Sequence, residues 1–214
     1  MTSRSYDQFC GVARALDLVG ERWALLVVRD LLLGPKRFTD LRRGLPGIGT
    51  NVLAARLKEL ERAGVIARRA LPPPAASVVY ELTEYGRALE VPLLALGRWG
   101  AMSIGRREAG QTLRSEWLAV ALKAFFRPEA AADVHATVAL RFDDGGAFLA
   151  RIDRGSLLVE PEERRNGADL VVATEVETLI AFLAGADVPA PALAPEGDTT
   201  LLARLPEIFA FGVG

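Results

Sequence analysis

KRFTDLRRGLPGIGTNVLAARLKELERAGVIARRALPPPAASVVYELTEYG, residues 36–86, holds the pattern that decides the fold. Its centre is a helix-forming run. Pro46, Gly47 and Gly49 break the chain, and Thr50 or Asn51 supplies a short polar side chain able to cap the helix that follows. Leu53, Leu57 and Leu60 then recur at i, i+4 and i+7, which puts three leucines on one stripe. At about 100° per residue, the opposite face carries Asn51, Ala55, Lys58, Glu59 and Arg62, with Arg56 on the flank. Taken alone, this pattern fits any amphipathic surface helix.

The flanks narrow the choice. Phe38, Leu41 and Leu45 form the apolar stripe of a short preceding helix, with Arg42 and Arg43 outward. Gly64 stands where a left-handed residue closes the longer helix. Val65-Ile66-Ala67 begins a strand and residues 78–82 supply its partner. Between them, Pro72, Pro73 and Pro74 suit a stiff loop and not a strand. Arg68 and Arg69 stand at the base of that loop, and Thr83-Glu84 opens a further helix. Helix, turn, helix, two strands around a loop and a new helix is the order of a winged helix-turn-helix, whose second helix enters the DNA major groove. Ala55, small among polar and basic neighbours, lets such a helix approach base edges. Asn51 suits an adenine edge, and Lys58 a guanine or a phosphate. The loop tip, Pro74-Ala75-Ala76-Ser77, carries no charge and is expected to read little.

With these residues in view, CGVARALDLVGERWALLVVRDLLLGPKRFTDLRRGLPGIGTNVLAARLKELERAGVIARR, then VVYELTEYGRAL and GRWG, resembles the HxlR family of bacterial transcriptional regulators over residues 9–100. The landmarks are Cys10 before an apolar helix, Gly20 and Trp23, Leu33-Gly34 before Arg37-Phe38, Leu45-Pro46-Gly47-Ile48, the Leu53 to Leu60 run with Arg56, and Tyr80 with Leu82-Thr83. The resemblance implies a dimer on a two-fold symmetric operator of double-stranded DNA, usually as a repressor and sometimes as an activator. By position it makes Arg37, Thr50, Asn51, Ala55, Arg56 and Lys58 the DNA-facing residues, with Arg68 and Arg69 on the backbone. Family wings often carry basic tips, and this chain departs from that pattern.

Charge divides the chain the same way. The formal total is −1, yet residues 1–110 sum to +6 and residues 111–214 to −7. A basic module joined to an acidic one suits a phosphate binder whose second half faces away from DNA. The length of 214 residues allows one large or two modest domains. No apolar run approaches the roughly 18 residues of a membrane span; residues 25–33 are interrupted by Arg29 and Asp30. The start, MTSRSYDQFCG, lacks a signal-peptide pattern, so a cytoplasmic protein acting at the nucleoid is expected.

Dimerisation is expected from the helices flanking the DNA unit. Leu89, Leu93, Leu96, Trp99 and Met102 fall largely on one side of a long helix that Pro92 kinks or restarts, beside an N-terminal helix over residues 6–19. The same stripe also suits packing on its own domain. In a dimer, recognition helices about 34 Å apart meet successive major grooves. Cys10, the single cysteine, has two readings. The family resemblance implies a redox-sensing thiol, which Arg14 one turn on would favour as thiolate; the residue equally suits a small packed hydrophobe.

The second half reads as a different layer. A helix over residues 115–126 groups Leu118, Leu122 and Phe125, and strands follow at 134–142, 147–152, 156–160 and 170–174. Asp143-Asp144-Gly145-Gly146 makes the first hairpin turn. Helices at 175–184 and 199–211 complete an α+β layer, a mostly antiparallel sheet with helices on one side. Residues 106–112 form the linker, giving domains 1–105 and 112–214. GGAFLARIDRGSLLV, Ala168-Asp169-Leu170, LAGAD and EGDTTLLARLPEIFAFG resemble the sterol-carrier-protein-2-like fold. That resemblance implies an apolar ligand tunnel walled by Phe125, Phe126, Phe142, Phe148, Leu158, Phe182, Leu183 and Phe209. The same residues also suit simple core filling.

No catalytic set emerges. His135, the one histidine, has no second histidine or cysteine with which to share a metal, and Asp143-Asp144 and Glu162-Glu163 lack EF-hand spacing. Pro46-Gly47-Ile48-Gly49 lacks the strand and spacing of a phosphate loop. No catalytic residue, metal or cofactor is expected. The resulting expectation is a DNA-binding repressor tuned by an apolar small-molecule effector. Its rivals are a thiol switch through Cys10 and a hydrophobic-ligand carrier with a vestigial DNA module.

Overall fold

The computed structural model describes residues 5–73, 76–105, 107–163 and 167–211. Pro74 and Ala75 of the expected loop tip, Arg106 of the expected linker, and Met1 to Arg4 of the leader reading lie outside those residues. The chain divides into two compact units between Leu93 and Leu94.

In the first unit, α1 (Gly11–Val19) and α2 (Ala24–Leu31) precede a two-residue strand β1 (Lys36–Arg37), then α3 (Phe38–Gly44) and α4 (Thr50–Arg62). Strands β2 (Ile66–Ala70) and β3 (Val78–Leu82), a short α5 (Glu84–Arg87) and the start of α6 (Glu90–Ala101) follow. The sheet runs β1-β3-β2, all antiparallel. Leu53, Leu57 and Leu60 are all buried, joined in one core by Leu41, Leu45, Val27, Val28 and Ile66. Each such leucine stabilises the unit by about 2 kcal/mol.

Two termini differ from expectation. Helix α1 begins at Gly11 and not near Tyr6, because Asp7 adopts a left-handed φ of 52° that no helix continues through. The segment before it folds back, Tyr6 N–H donating to Asp17 at 3.0 Å. The break after Tyr85 falls between α5 and α6, with Pro92 inside the first turn of α6, where its missing N–H costs nothing. The joint is held by Thr83, whose Oγ1 accepts from Gly86 N–H at 2.9 Å and donates to the Gly64 carbonyl at 2.6 Å. Gly86 lies so close that a Cβ there would overlap the Val65 carbonyl oxygen.

In the second unit, α7 (Ser115–Phe125) and a 3-10 turn at Glu129–Ala131 lead into β4 (His135–Phe142), β5 (Ala147–Asp153), β6 (Ser156–Pro161) and β7 (Leu170–Thr174). Helix α8 (Val176–Leu183), α9 (Ala190–Leu193), β8 (Glu196–Gly197) and α10 (Thr199–Ile208) complete it. The five-stranded sheet runs β6-β5-β4-β7-β8. Strands β4, β5 and β6 form an antiparallel meander, whereas β4 and β7 are parallel. Asp144 pins the first hairpin to α7, accepting from Ser115 N–H and Gly146 N–H, each at 3.0 Å. Burial pushes its pKa up, but these two N–H donors, with smaller contributions from the Ser115 side chain and the Arg114 charge, together hold it below the usual carboxylate value.

The expected pocket residues separate in this sheet. Phe142, Phe148, Leu183 and Phe209 are buried, and Phe125, Phe126 and Phe182 are half-buried. Leu158 is 51% exposed and lines no interior. Its register partner is the exposed Arg151, while Leu157 and Val159 pair with Ile152 and Ala150 on the core face. The rings pack on one another: Phe125 with Phe211 at 4.8 Å between centroids, Phe126 with Phe209 at 5.8 Å and Phe142 with Phe148 at 6.4 Å. The final helix ends at Ile208, earlier than expected, because Phe209 leaves it to pair with Phe126 across an isolated bridge.

Candidate nucleic-acid interface

The α3–α4 pair is built on close approaches. Gly44 ends α3 against the buried Asp30 of α2, where a Cβ would stand 2.5 Å from Asp30 Oδ2. Asp30 in turn accepts from Arg29 Nε at 2.9 Å and Nη2 at 2.8 Å. Gly47 turns the chain with a φ of +85°, which no other residue adopts without strain. The ring tip of Trp23 lies beneath that turn, 3.9 Å from the Cβ position of Gly47. Trp23 itself holds a left-handed φ of 80°, which for a bulky residue costs on the order of 1–3 kcal/mol.

Helix α4 emerges from this turn with Gly49 as its N-cap. Thr50 and Asn51, expected as caps, sit inside the first turn, and their side chains are exposed. Glycine is an adequate N-cap, so neither polar side chain is consumed by capping. Ala55 and Lys58 are exposed on the same side of α4, and Lys58 has no ion-pair partner among the described residues. Arg37, at the N-cap of α3, is also exposed; its backbone N–H donates to Asp40 Oδ2 at 3.2 Å. Arg56 differs. Its guanidinium is largely covered, 2.6 Å from Glu59 and 3.7 Å from Glu21.

The wing adds cations on both faces. Arg68 and Lys36 both oppose Tyr80 across the sheet, and the Arg68 guanidinium stands 5.9 Å from the Tyr80 ring centre. Lys36 was not singled out from sequence, since a two-residue strand leaves no alternation to detect. Arg69 is exposed yet tied down by Glu81, donating from Nε at 3.0 Å and 3.1 Å and from Nη2 at 3.0 Å. The Glu81 carboxylate raises the Arg69 pKa above its ordinary value.

Outside this surface, Cys10 is exposed and not packed. The backbone N–H groups of Ala13 and then Val12 hold its thiol below the ordinary value, where the sequence pointed to Arg14. Val12 and Leu16 of α1 are exposed, as are Tyr6 and Phe9 before it. On α6 and just after it, Leu96, Trp99, Met102 and Ile104 are exposed, Trp99 by 71%. Leu89 and Leu93 instead pack against the core of the first unit. His135 forms an exposed pair with Asp153 at 3.0 Å. Among the described residues there is no metal-binding cluster and no helix long and apolar enough to cross a membrane.

Comparison with known proteins identifies relatives of this region. A profile of the HxlR-like helix-turn-helix matches residues 18–108. The HTH-type transcriptional regulator YodB of Bacillus subtilis is 40% identical over 85 residues, which span 40% of this chain and 76% of YodB. YvaP, an HTH-type transcriptional regulator of the same organism, is 38% identical over 86 residues, 40% of this chain and 80% of YvaP. The solved structure of reduced YodB aligns over 47% of this chain and 100% of its own, with 34% identity and a TM-score of 0.42. The first half of this chain carries a winged helix-turn-helix, and the chain belongs to the HxlR-like helix-turn-helix family.

Proposed function

We propose that this chain is a homodimeric transcriptional repressor that binds a palindromic operator and responds to an apolar effector. Residues 1–105 provide DNA binding and dimerisation, and residues 112–214 hold the effector. One observation carries the reading: α4 buries Leu53, Leu57 and Leu60 while offering Asn51, Ala55 and Lys58 to solvent. Asn51 bonds an adenine edge, Lys58 a guanine or phosphate, and Ala55 admits the close approach. Arg37, Thr50 and Arg68 contact the flanking backbone, with Arg69 joining when it leaves Glu81. Exposed Tyr6, Phe9, Val12 and Leu16, and exposed Leu96, Trp99 and Met102, supply the apolar area of a dimer. A solvent-facing reading helix also favours a working regulator over a carrier with a vestigial DNA module.

The effector half of the proposal rests on the sterol-carrier-protein-2-like resemblance, which the five-stranded sheet and its packed helices support. Phe125, Phe126 and Phe182 are the rings of the expected pocket that keep partial exposure. The test is a mobility-shift titration against duplex DNA from upstream of the protein's own reading frame. Binding tighter than about micromolar at moderate salt is expected, and its absence refutes the regulator. Native mass spectrometry of the purified dimer tests for a retained apolar ligand. A second reading, a thiol-based switch, is favoured by the exposed Cys10 with its lowered pKa. There, Cys10→Ser abolishes the response of DNA binding to oxidant.

A further inference from the structure

Arg56 stands apart from the other polar residues of α4. Its side chain is only 16% exposed, whereas Asn51, Ala55 and Lys58 face solvent. Nη1 lies 2.6 Å from one Glu59 carboxylate oxygen, and Nη2 donates to the other at 3.4 Å. The same Nη1 lies 3.7 Å from Glu21, which belongs to the turn between α1 and α2. The guanidinium therefore links the middle of the reading helix to a different element. Two residues beyond Glu21 comes Trp23, whose ring supports the Gly47 turn and carries the Arg22 guanidinium 5.4 Å above it. Residues 21–23 thus brace both the entry to α4 and its midpoint. A phosphate approaching Arg56 would meet the carboxylates of Glu21 and Glu59 first, and like charges repel.

We propose that Arg56 is a positioning residue: with Glu21 it fixes the angle at which α4 offers Asn51, Ala55 and Lys58 to the groove, and it does not touch DNA. This rests on the DNA-binding reading above. The role needs arginine in particular. A planar guanidinium serves two carboxylates at once, whereas lysine is a point charge on a flexible stem. A direct phosphate contact tolerates lysine far better.

The experiment uses the full chain and a fluorescein-labelled duplex that the wild type selects from a random pool, with anisotropy titrations over a range of salt. Arg56→Gln and Arg56→Lys should each weaken binding about tenfold, with the slope of log affinity against log salt unchanged. Adding Glu21→Gln to Arg56→Gln should cost nothing further, since both remove one link. If Arg56→Gln lowers the slope by about 1 while Arg56→Lys binds as the wild type does, Arg56 contacts a phosphate and the positioning role is wrong. Should Arg56→Gln fail to fold by circular dichroism, Glu21→Gln decides alone. Weaker binding at unchanged slope upholds the link, and equal or tighter binding overturns it. A wild type that selects no duplex overturns the DNA-binding reading and this proposal together, an outcome distinct from all the others.

Discussion

The two units differ in where their unpaired cations lie. In the second unit several arginines are spent internally, Arg141 on Glu162 at 2.9 Å, Arg151 on Glu160 at 2.8 Å, Arg204 on Asp133 at 2.7 Å and Arg107 on Glu177 at 2.6 Å, while Arg127 and Arg154 are exposed. In the first unit the charged side chains of Lys58, Arg37 and Arg42 are exposed and in no ion pair among the described residues. Pairing occurs on both sides of the charge split, so availability is a property of each residue and not of the net charge. A basic count alone would not separate the two, because a paired guanidinium offers little field to a distant phosphate. The first unit also has its pairs, Arg29 with Asp30, Arg43 with Asp40, Arg56 with Glu59 and Arg69 with Glu81, and the last two hold structure next to the surface proposed to meet DNA.

The contrast is open to direct attack, beginning with the cores that each unit must keep. Phe148→Ala, in the buried face of the second sheet, should destabilise by about 4 kcal/mol in chemical denaturation while leaving DNA affinity of the folded fraction intact. Leu57→Ala should cost about 3 kcal/mol and abolish DNA binding as well, because the same leucine seats the reading helix. If Leu57→Ala binds normally when folded, α4 is not the reading element. Gly44→Ala, which drives a methyl into the Asp30 carboxylate, should cost about 2 kcal/mol in the first unit, read by thermal melting.

Smaller effects separate charge from packing. Asp144→Asn should lower stability by about 1 kcal/mol at neutral pH. The folded-state pKa of Asp144 is depressed, so its contribution is full above the unfolded value of about 3.9. It is lost as pH falls through the lower folded value, and the variant and wild-type melting curves should converge in that acid range. Lys58→Ala should leave stability within about 0.5 kcal/mol yet reduce the salt slope of DNA binding by about 1. Leu158→Ala should be the quietest, within about 0.5 kcal/mol, since the side chain faces solvent.

What could be read beforehand follows from how local the signal was. The leucine stripe of α4, the Gly64 stop and the β2–β3 strands are short-range patterns, and each appeared where expected. The pairing of Lys36 with Tyr80 was invisible, because two residues hold no period. The environment of Arg56 was also hidden. A helical wheel placed it on the flank, but only the three-dimensional approach of Glu21, thirty-five positions earlier, turns it inward. Leu158 was misjudged for another reason. Three successive apolar residues, Leu157 to Val159, obscure which of them points to the core until the register with β5 is known.

The parallel pairing of β4 with β7 carries a temporal consequence. An antiparallel meander can assemble as it leaves the ribosome, each hairpin closing over a few residues. Strand β7 must instead bridge back past β5 and β6 to reach β4, and β8 can join only after it. Such high contact order slows folding. The C-terminal sheet should therefore be the late, rate-limiting event of biogenesis, with nascent β4 holding an unsatisfied apolar edge meanwhile.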